Sequence, residues 1–195
     1  ALGPADLCRR LAEAGLGSLE VTVGENLSYE TEHILRGTAA EFAGRSFAPL
    51  SVLLAEAAPR PFPLRTAGFP DEALLRGKVP MTKQEVRAAA LGKLAVRPPV
   101  TGWDVGAGTG SVSVELALAA RHGRTYAVEC LEEACDLIRA NRQRFGAWNL
   151  TLIQGKAPEA LENRPAPEAV FIGGTKGTLE PVLDVVLRKN PNARI

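Results

Sequence analysis

Asp104-Val105-Gly106-Ala107-Gly108-Thr109-Gly110 is the stretch whose reading decides the fold. An apolar run containing Trp103 precedes it, and an apolar pattern at helical spacing follows. A buried strand that ends in a glycine turn and opens a helix reads this way. Glycine has no Cβ, so a ligand can approach such a turn closely. The helix behind the turn offers N–H groups that no earlier turn satisfies. Nineteen residues past Gly110, Glu129 closes the next apolar run, Thr125-Tyr126-Ala127-Val128. An acid at the tip of the second strand is placed to accept hydrogen bonds from a ribose diol. The pattern points to a nucleoside cofactor, and the alternative is a glycine-rich turn without a ligand.

A dinucleotide fingerprint requires G-x-G-x-x-G/A. Counted from Gly106 the third position is Ser111, and from Gly108 it is Ser113, so neither register fits. The form acid-x-G-x-G-x-G resembles motif one of the S-adenosylmethionine-dependent methyltransferases. Asp104 suits a ligand with a cationic amino-acid end, and no pyrophosphate has to be seated. The candidate cofactor residues here are therefore Asp104, Gly106, Ala107, Gly108, Thr109, Gly110 and Glu129.

The chain of 195 residues has room for one large domain, or for one and a fragment. Its 46% hydrophobic and 23% charged residues are ordinary globular values. A net charge of +1 implies no strong pull toward nucleic acid or a membrane surface. No stretch approaches the length of a membrane span. Asp6, Arg9, Arg10 and Glu13 interrupt any signal-peptide core. Three cysteines, Cys8, Cys130 and Cys135, form a sparse odd set that suits a reducing cytoplasm. They read as ordinary thiols, and His33 and His122 as isolated surface or packing residues, so no metal site is expected.

Residues 57–70 are dense in proline and divide the chain, with a linker expected over 57–68. The first part, 1–56, reads helix (Pro4 to Ala14), strand (Ser18 to Val23), amphipathic helix (Tyr29 to Phe42) and strand (Ser51 to Ala55). It is small for an independent core. In the second part, 69–195, Thr82-Lys83-Gln84-Glu85 has the form of a capping box with Thr82 as N-cap. Helix to about Ala95 follows, then strand 100–105, helix 111–121, strand 125–129, helix 131–145 and strand 150–153. A helical piece near Glu159, strand 169–172, helix 178–188 and the start of a strand at 193–195 complete the series. Repeated βαβ units demand a parallel, doubly wound sheet with helices on both faces. The ligand is expected over the carboxyl ends of its strands.

Several further segments carry a more specific resemblance. Gly68-Phe69-Pro70-Asp71-Glu72, Pro80-Met81-Thr82-Lys83-Gln84-Glu85-Val86-Arg87 and Asp104–Val114 resemble the CbiT-type methyltransferases of corrin (cobalamin) biosynthesis. Phe145-Gly146 with Asn149-Leu150, Gly155-Lys156-Ala157-Pro158 and Val170-Phe171-Ile172-Gly173-Gly174 fit the same pattern. In the first part, Glu25-Asn26-Leu27, Arg36-Gly37-Thr38 and Phe47-Ala48-Pro49-Leu50-Ser51-Val52 are similar to the end of a CbiE-type tetrapyrrole methylase. The two in this order resemble the fused precorrin-6Y C5,15-methyltransferases (decarboxylating).

The resemblance implies a Rossmann-like S-adenosylmethionine-dependent methyltransferase sheet, cut short at its C-terminal end. A tetrapyrrole methylase fragment without that family's own cofactor loop precedes it. The chain is thus expected to be an internal fragment of a longer enzyme. The resemblance implies S-adenosyl-L-methionine as the cofactor, with Thr82 and Ala157 added to its site. The activity implied is methylation at carbon 15 of a precorrin with loss of the ring acetate carboxyl. A protonated conjugated ring can serve as the electron sink, so no protein nucleophile is required and no catalytic acid is nominated. The tetrapyrrole carries many carboxylates, and Lys83 and Arg87, four apart on one helix face, are the candidate grip for them. Lys156 and Lys176 are single candidates near strand ends. Further copies of the chain, as a homo-oligomer, are the other partners expected; nucleic acid and membrane are not. Two alternatives stand beside this reading: a methyltransferase for RNA or another small molecule, and a noncatalytic assembly module.

Overall fold

The computed structural model describes residues 2–56 and 67–195. They form two compact units, divided near residue 60. Most of the expected linker, 57–66, lies outside the described residues. Among the described residues no helix is long and apolar enough to cross a membrane.

The first unit is a three-stranded antiparallel sheet, β1 (Glu20–Glu25), β2 (His33–Thr38) and β3 (Ser51–Glu56), in the order β2-β1-β3. Helices α1 (Pro4–Leu11) and α2 (Ala39–Phe42) pack with it. Cys8, Val21, Val23, Ala39 and Phe42 make its buried core. The expected helix from Tyr29 to Phe42 is not there. Residues 33–38 pair with β1 in the register Val23↔Leu35 and Val21↔Gly37, and helix begins only at Ala39. The local signal is Thr38-Ala39-Ala40-Glu41. The Glu41 carboxylate accepts from the Thr38 N–H at 2.7 Å, and the Thr38 hydroxyl accepts from the Glu41 N–H at 3.3 Å. That capping box starts a helix after Thr38, so the residues before it are free to extend and pair.

The second unit holds α3 (Gln84–Leu94), β4 (Thr101–Val105), α4 (Ser111–Ala119), β5 (Arg124–Glu129) and α5 (Glu132–Phe145). β6 (Leu150–Gln154), β7 (Ala169–Ile172) and α6 (Leu179–Lys189) follow. The strands form one parallel sheet in the order β6-β5-β4-β7, and Arg194 bridges in parallel to Ala169 beside β7. On one face Val114, Ala117, Ala127, Ile138, Phe145 and Leu150 pack together with Phe69 and Leu74. On the other, Val182, Val185 and Val186 of α6 cover Trp103, Val105, Val128 and Val170. The chain leaves β4 toward β6 on one side and returns to β7 on the other. The switch point therefore lies at β4, beside the glycine turn. This is the parallel, doubly wound sheet that the βαβ reading expects.

The expected capping box at Thr82 is not formed. Lys83 occupies the N-cap position of α3, and no side chain caps it. The Thr82 carbonyl is instead taken by the guanidinium of Arg87.

Candidate functional site

At the end of β4, Gly106, Gly108 and Gly110 all take left-handed backbone, with φ of 71°, 55° and 74°. The N–H groups of Gly106 and Ala107 donate to the Val128 carbonyl, which ties the turn to β5. Each glycine answers to a different neighbour. A Cβ on Gly106 would come 2.1 Å from the Gly174 carbonyl oxygen, in the loop after β7. On Gly108 it would lie 3.3 Å from the Pro80 carbonyl oxygen. On Gly110, the N-cap of α4, it would meet Ile138 of α5 at 2.9 Å. The turn is thus held closely by protein on several sides as well as open to a ligand.

The opening is a cleft of about 710 Å³ over the carboxyl ends of the strands, within the usual range of small-molecule sites. Its walls include Thr82, Asp104, Gly106, Ala107, Gly108, Thr109, Glu129 and Ala157. All of these were expected at the cofactor. Gly110 is not on the cleft wall; it serves the packing of α4 on α5. Lys156 and Lys176 lie on the rim, from the loops after β6 and β7. Ala157 follows β6, and its carbonyl accepts from the Thr178 hydroxyl at 3.4 Å.

Glu129 closes β5 and is 8% exposed. One of its oxygens accepts from the Cys130 and Leu131 N–H groups, at 2.8 and 2.9 Å. The other accepts from the Gly108 N–H at 2.9 Å. Burial pushes its pKa up, but these backbone donors outweigh it and hold the carboxyl below its ordinary range. A carboxylate offers about four acceptor positions, so the oxygen facing Gly108 keeps capacity for a hydroxyl in the cleft.

Asp104 is 1% exposed. Its Oδ2 accepts from the Ser113 hydroxyl, and its Oδ1 has no hydrogen-bond partner within the protein. Burial pushes its pKa up to about 7; the Ser113 hydrogen bonds oppose the shift and the Glu129 charge adds to it. The Thr109 hydroxyl, also buried on the cleft wall, likewise lacks a partner within the protein. Buried polar atoms are seldom left unpaired unless something else meets them. A cationic ligand group next to Asp104 would ionise it and supply the missing partner.

The expected basic face on α3 does not exist as such. Arg87 is wholly buried. Its Nε donates to Glu115 and an Nη to Asp71, each at 2.7 Å, and it also reaches the carbonyls of Phe69 and Thr82. Lys83 is exposed and pairs with Asp71 at 3.3 Å. Arg87 beside Asp71 holds that carboxyl below its ordinary range. Residues four apart do share a helix face, but this face turns into the protein at Arg87. Neither residue lines the cleft. Asn141 of α5 has no counterpart among the expected site residues. It accepts from the Leu75 N–H and donates to the carbonyls of Leu75 and Thr109. Its place at helical spacing among the apolar positions Ala134, Ile138 and Phe145 of α5 was the available signal.

With this geometry in view, comparison with known proteins is specific. Residues 74–195 match the precorrin methyltransferase domain family. The chain belongs to that family. It is 36% identical over 191 residues to the precorrin-6Y C(5,15)-methyltransferase [decarboxylating] of Sinorhizobium sp, covering 94% of this chain and 46% of that protein. It is 49% identical over 116 residues to a probable cobalt-precorrin-6B C(15)-methyltransferase (decarboxylating) of Pyrobaculum calidifontis, covering 58% of this chain and 60% of the relative. The chain thus spans about half the length of these relatives. Among solved structures, the precorrin-6y C5,15-methyltransferase of Geobacter metallireducens superposes with a TM-score of 0.60 at 42% identity, over 63% of this chain and 65% of that one.

Proposed function

We propose that the second unit binds S-adenosyl-L-methionine in the cleft and methylates a corrin precursor, precorrin-6Y, at carbon 15 with loss of its ring acetate carboxyl. The observation that carries this is the pair of acids at the strand ends. Glu129 is a stably ionised acceptor with one oxygen facing the glycine turn. Asp104 is a buried acid on the wall of the same cleft, with one oxygen that no protein group meets. The first suits a ribose hydroxyl and the second an ammonium group. The family and the relatives' names supply the substrate class.

The cofactor, when bound, supplies an electrophilic methyl on a sulfonium cation. The chain's own task is to align and to exclude water. Glu129 would hold the ribose hydroxyls, Asp104, Thr109 and the glycine turn would hold the amino-acid end, and Ala157 would lie toward the adenine. Thr82 closes the wall beside Gly108. Alignment is the main demand, because charge disperses as the methyl moves. The carboxyl lost from the acetate arm leaves as carbon dioxide, its electron pair passing into the protonated conjugated ring. Lys156 and Lys176 on the rim replace Lys83 and Arg87 as the cations available to the macrocycle's carboxylates.

We assign residues 1–56 to the C-terminal part of a CbiE-like tetrapyrrole methylase, 57–68 to a linker and 69–195 to the CbiT-like domain. The 191-residue alignment with the Sinorhizobium protein supports this, since it runs through both parts. Calorimetric titration with S-adenosylhomocysteine and with NAD tests the cofactor, and tighter binding of NAD would refute it. Mass spectrometry after incubation with precorrin-6Y and the cofactor tests the reaction. One added methyl with loss of carbon dioxide is expected, and methylation without decarboxylation counts against it.

A further inference from the structure

We propose that Arg87 is a positioning residue for the cofactor cleft: it holds the segment 68–82 in place as one wall of the site without touching the ligand. The inference rests on the reading that the cleft binds S-adenosyl-L-methionine.

The segment before α3 contributes Val79, Pro80, Met81 and Thr82 to the cleft wall. It includes only one short 3-10 turn, Asp71–Ala73, and no strand. Something other than a sheet ladder must therefore fix its path. Arg87 provides that. From α3 it reaches four acceptors: the Glu115 carboxylate of α4, the Asp71 carboxylate, and the carbonyls of Phe69 and Thr82. Glu115 in turn accepts from the N–H groups of Gly68 and Phe69, at 2.5 and 3.2 Å. Arg87, paired with both Glu115 and Asp71, thus grips the segment at its start, at Asp71 and at Thr82. Asn141 ties its middle, at Leu75, to the Thr109 carbonyl of the glycine turn. The wall then meets the turn directly, because the Pro80 carbonyl oxygen lies 3.3 Å from where a Gly108 Cβ would stand.

The choice of arginine follows from geometry. A guanidinium presents five donors in a planar fork, and this one serves four acceptors, one on α4 and three along the segment 68–82. Lysine keeps the charge but offers one compact head. Arg87→Lys should leave Glu115 compensated and the sheet folded, while releasing the Thr82 or Phe69 carbonyl.

The test is calorimetric titration of the chain and its variants with S-adenosylhomocysteine, well below their melting temperatures. There a loss of global stability leaves the dissociation constant unchanged, because nearly every molecule is folded. R87K should bind about tenfold more weakly, the scale of one lost charge-assisted hydrogen bond. Leu94→Ala is the control. Leu94 sits on the same helix, buried with Leu91, Val100 and Val112 in a cluster that contains none of the residues Arg87 binds. L94A should melt lower yet bind like the wild type. Unchanged binding by R87K overturns the proposal, as does an equal loss in R87K and L94A. Should R87K not fold, Asp71→Asn carries the test with a smaller loss in the same direction, and unchanged affinity there overturns it. Failure of the unaltered chain to bind refutes the cofactor reading instead. Amide exchange at Val79, Met81 and Thr82 then decides on the wall: faster exchange in R87K but not L94A supports it, and equal exchange refutes it.

Discussion

Asp104, near the end of β4, and Glu115, in the middle of α4, lie eleven residues apart on either side of the glycine turn, and both are almost fully buried. Glu115 meets Arg87 and two backbone N–H groups. Asp104 meets Ser113, through its hydroxyl and its backbone N–H, and leaves an oxygen unpaired. The difference separates two uses of a buried carboxylate. One is satisfied by protein and holds a wall in place. The other is left wanting a partner, at the floor of a cleft. Burial alone does not mark a binding residue; an unfilled valence on a residue that lines the cleft does, and Trp103 and Thr125, buried with unpaired polar atoms away from it, show that both conditions are needed.

The sharpest way to break this comparison is to remove the partner of the satisfied acid. Arg87→Leu strands Glu115 as an uncompensated buried charge, and should cost about 3–5 kcal/mol. Urea denaturation measures it, and a loss below about 1 kcal/mol would show that Glu115 does not depend on Arg87.

The unsatisfied acid predicts a pH dependence of defined sign. Folded Asp104 titrates at about 7 against 3.8 for the free group, so the folded state binds the extra proton between these values. Its contribution to stability is full below pH 3.8, declines as pH rises toward 7 and is flat above. Glu129 has the opposite sign: its contribution is present above 4.5 and is lost as pH falls through its lowered folded value. Asp104→Asn should therefore flatten the decline between pH 5 and 7, which amounts to at most about 1.4 kcal/mol per pH unit. Parallel melting curves for the two proteins across that range would mean that Asp104 is already ionised.

Within the cleft, Glu129→Gln should weaken S-adenosylhomocysteine by roughly 1–3 kcal/mol. An unchanged dissociation constant would assign Glu129 to the turn alone, through its bonds to Gly108, Cys130 and Leu131. The smallest effect belongs to Lys83, the exposed member of the Asp71 cluster. Lys83→Ala should cost less than about 0.5 kcal/mol, as exposed ion pairs do. A cost equal to that of Arg87→Leu would erase the distinction between the buried and the exposed cation.

Much of the second unit was legible because its signals are local and repeated. Apolar runs of strand length alternate with helical patterns from Thr101 to Lys189, and the observed elements begin and end within two residues of those expected. The first unit was less so. Residues 33–38 carry apolar positions compatible with either period, and pairing with β1 settled them as strand. Two Thr-x-x-Glu sequences show the same limit. Thr38 forms its capping box, whereas Thr82 has its carbonyl drawn to Arg87, and its helix begins beyond Lys83. The spacing of Lys83 and Arg87 predicts a shared face; it is silent on which part of that face the protein covers.

From sequence alone came the βαβ order, the glycine turn after Asp104, the acid closing the next strand and the resemblance that led to the precorrin methyltransferase domain family. These are properties of neighbours along the chain, where backbone stereochemistry and hydrophobic period act directly. Tertiary structure alone decided that Arg87 is interior, that Asn141 ties residue 75 to residue 109, and that Gly110 serves packing more than the cleft. It also left Asp104 one partner short. Each of these depends on contacts between residues distant in sequence, and the strength of a charge or a hydrogen bond is set by what surrounds it, which no local pattern encodes.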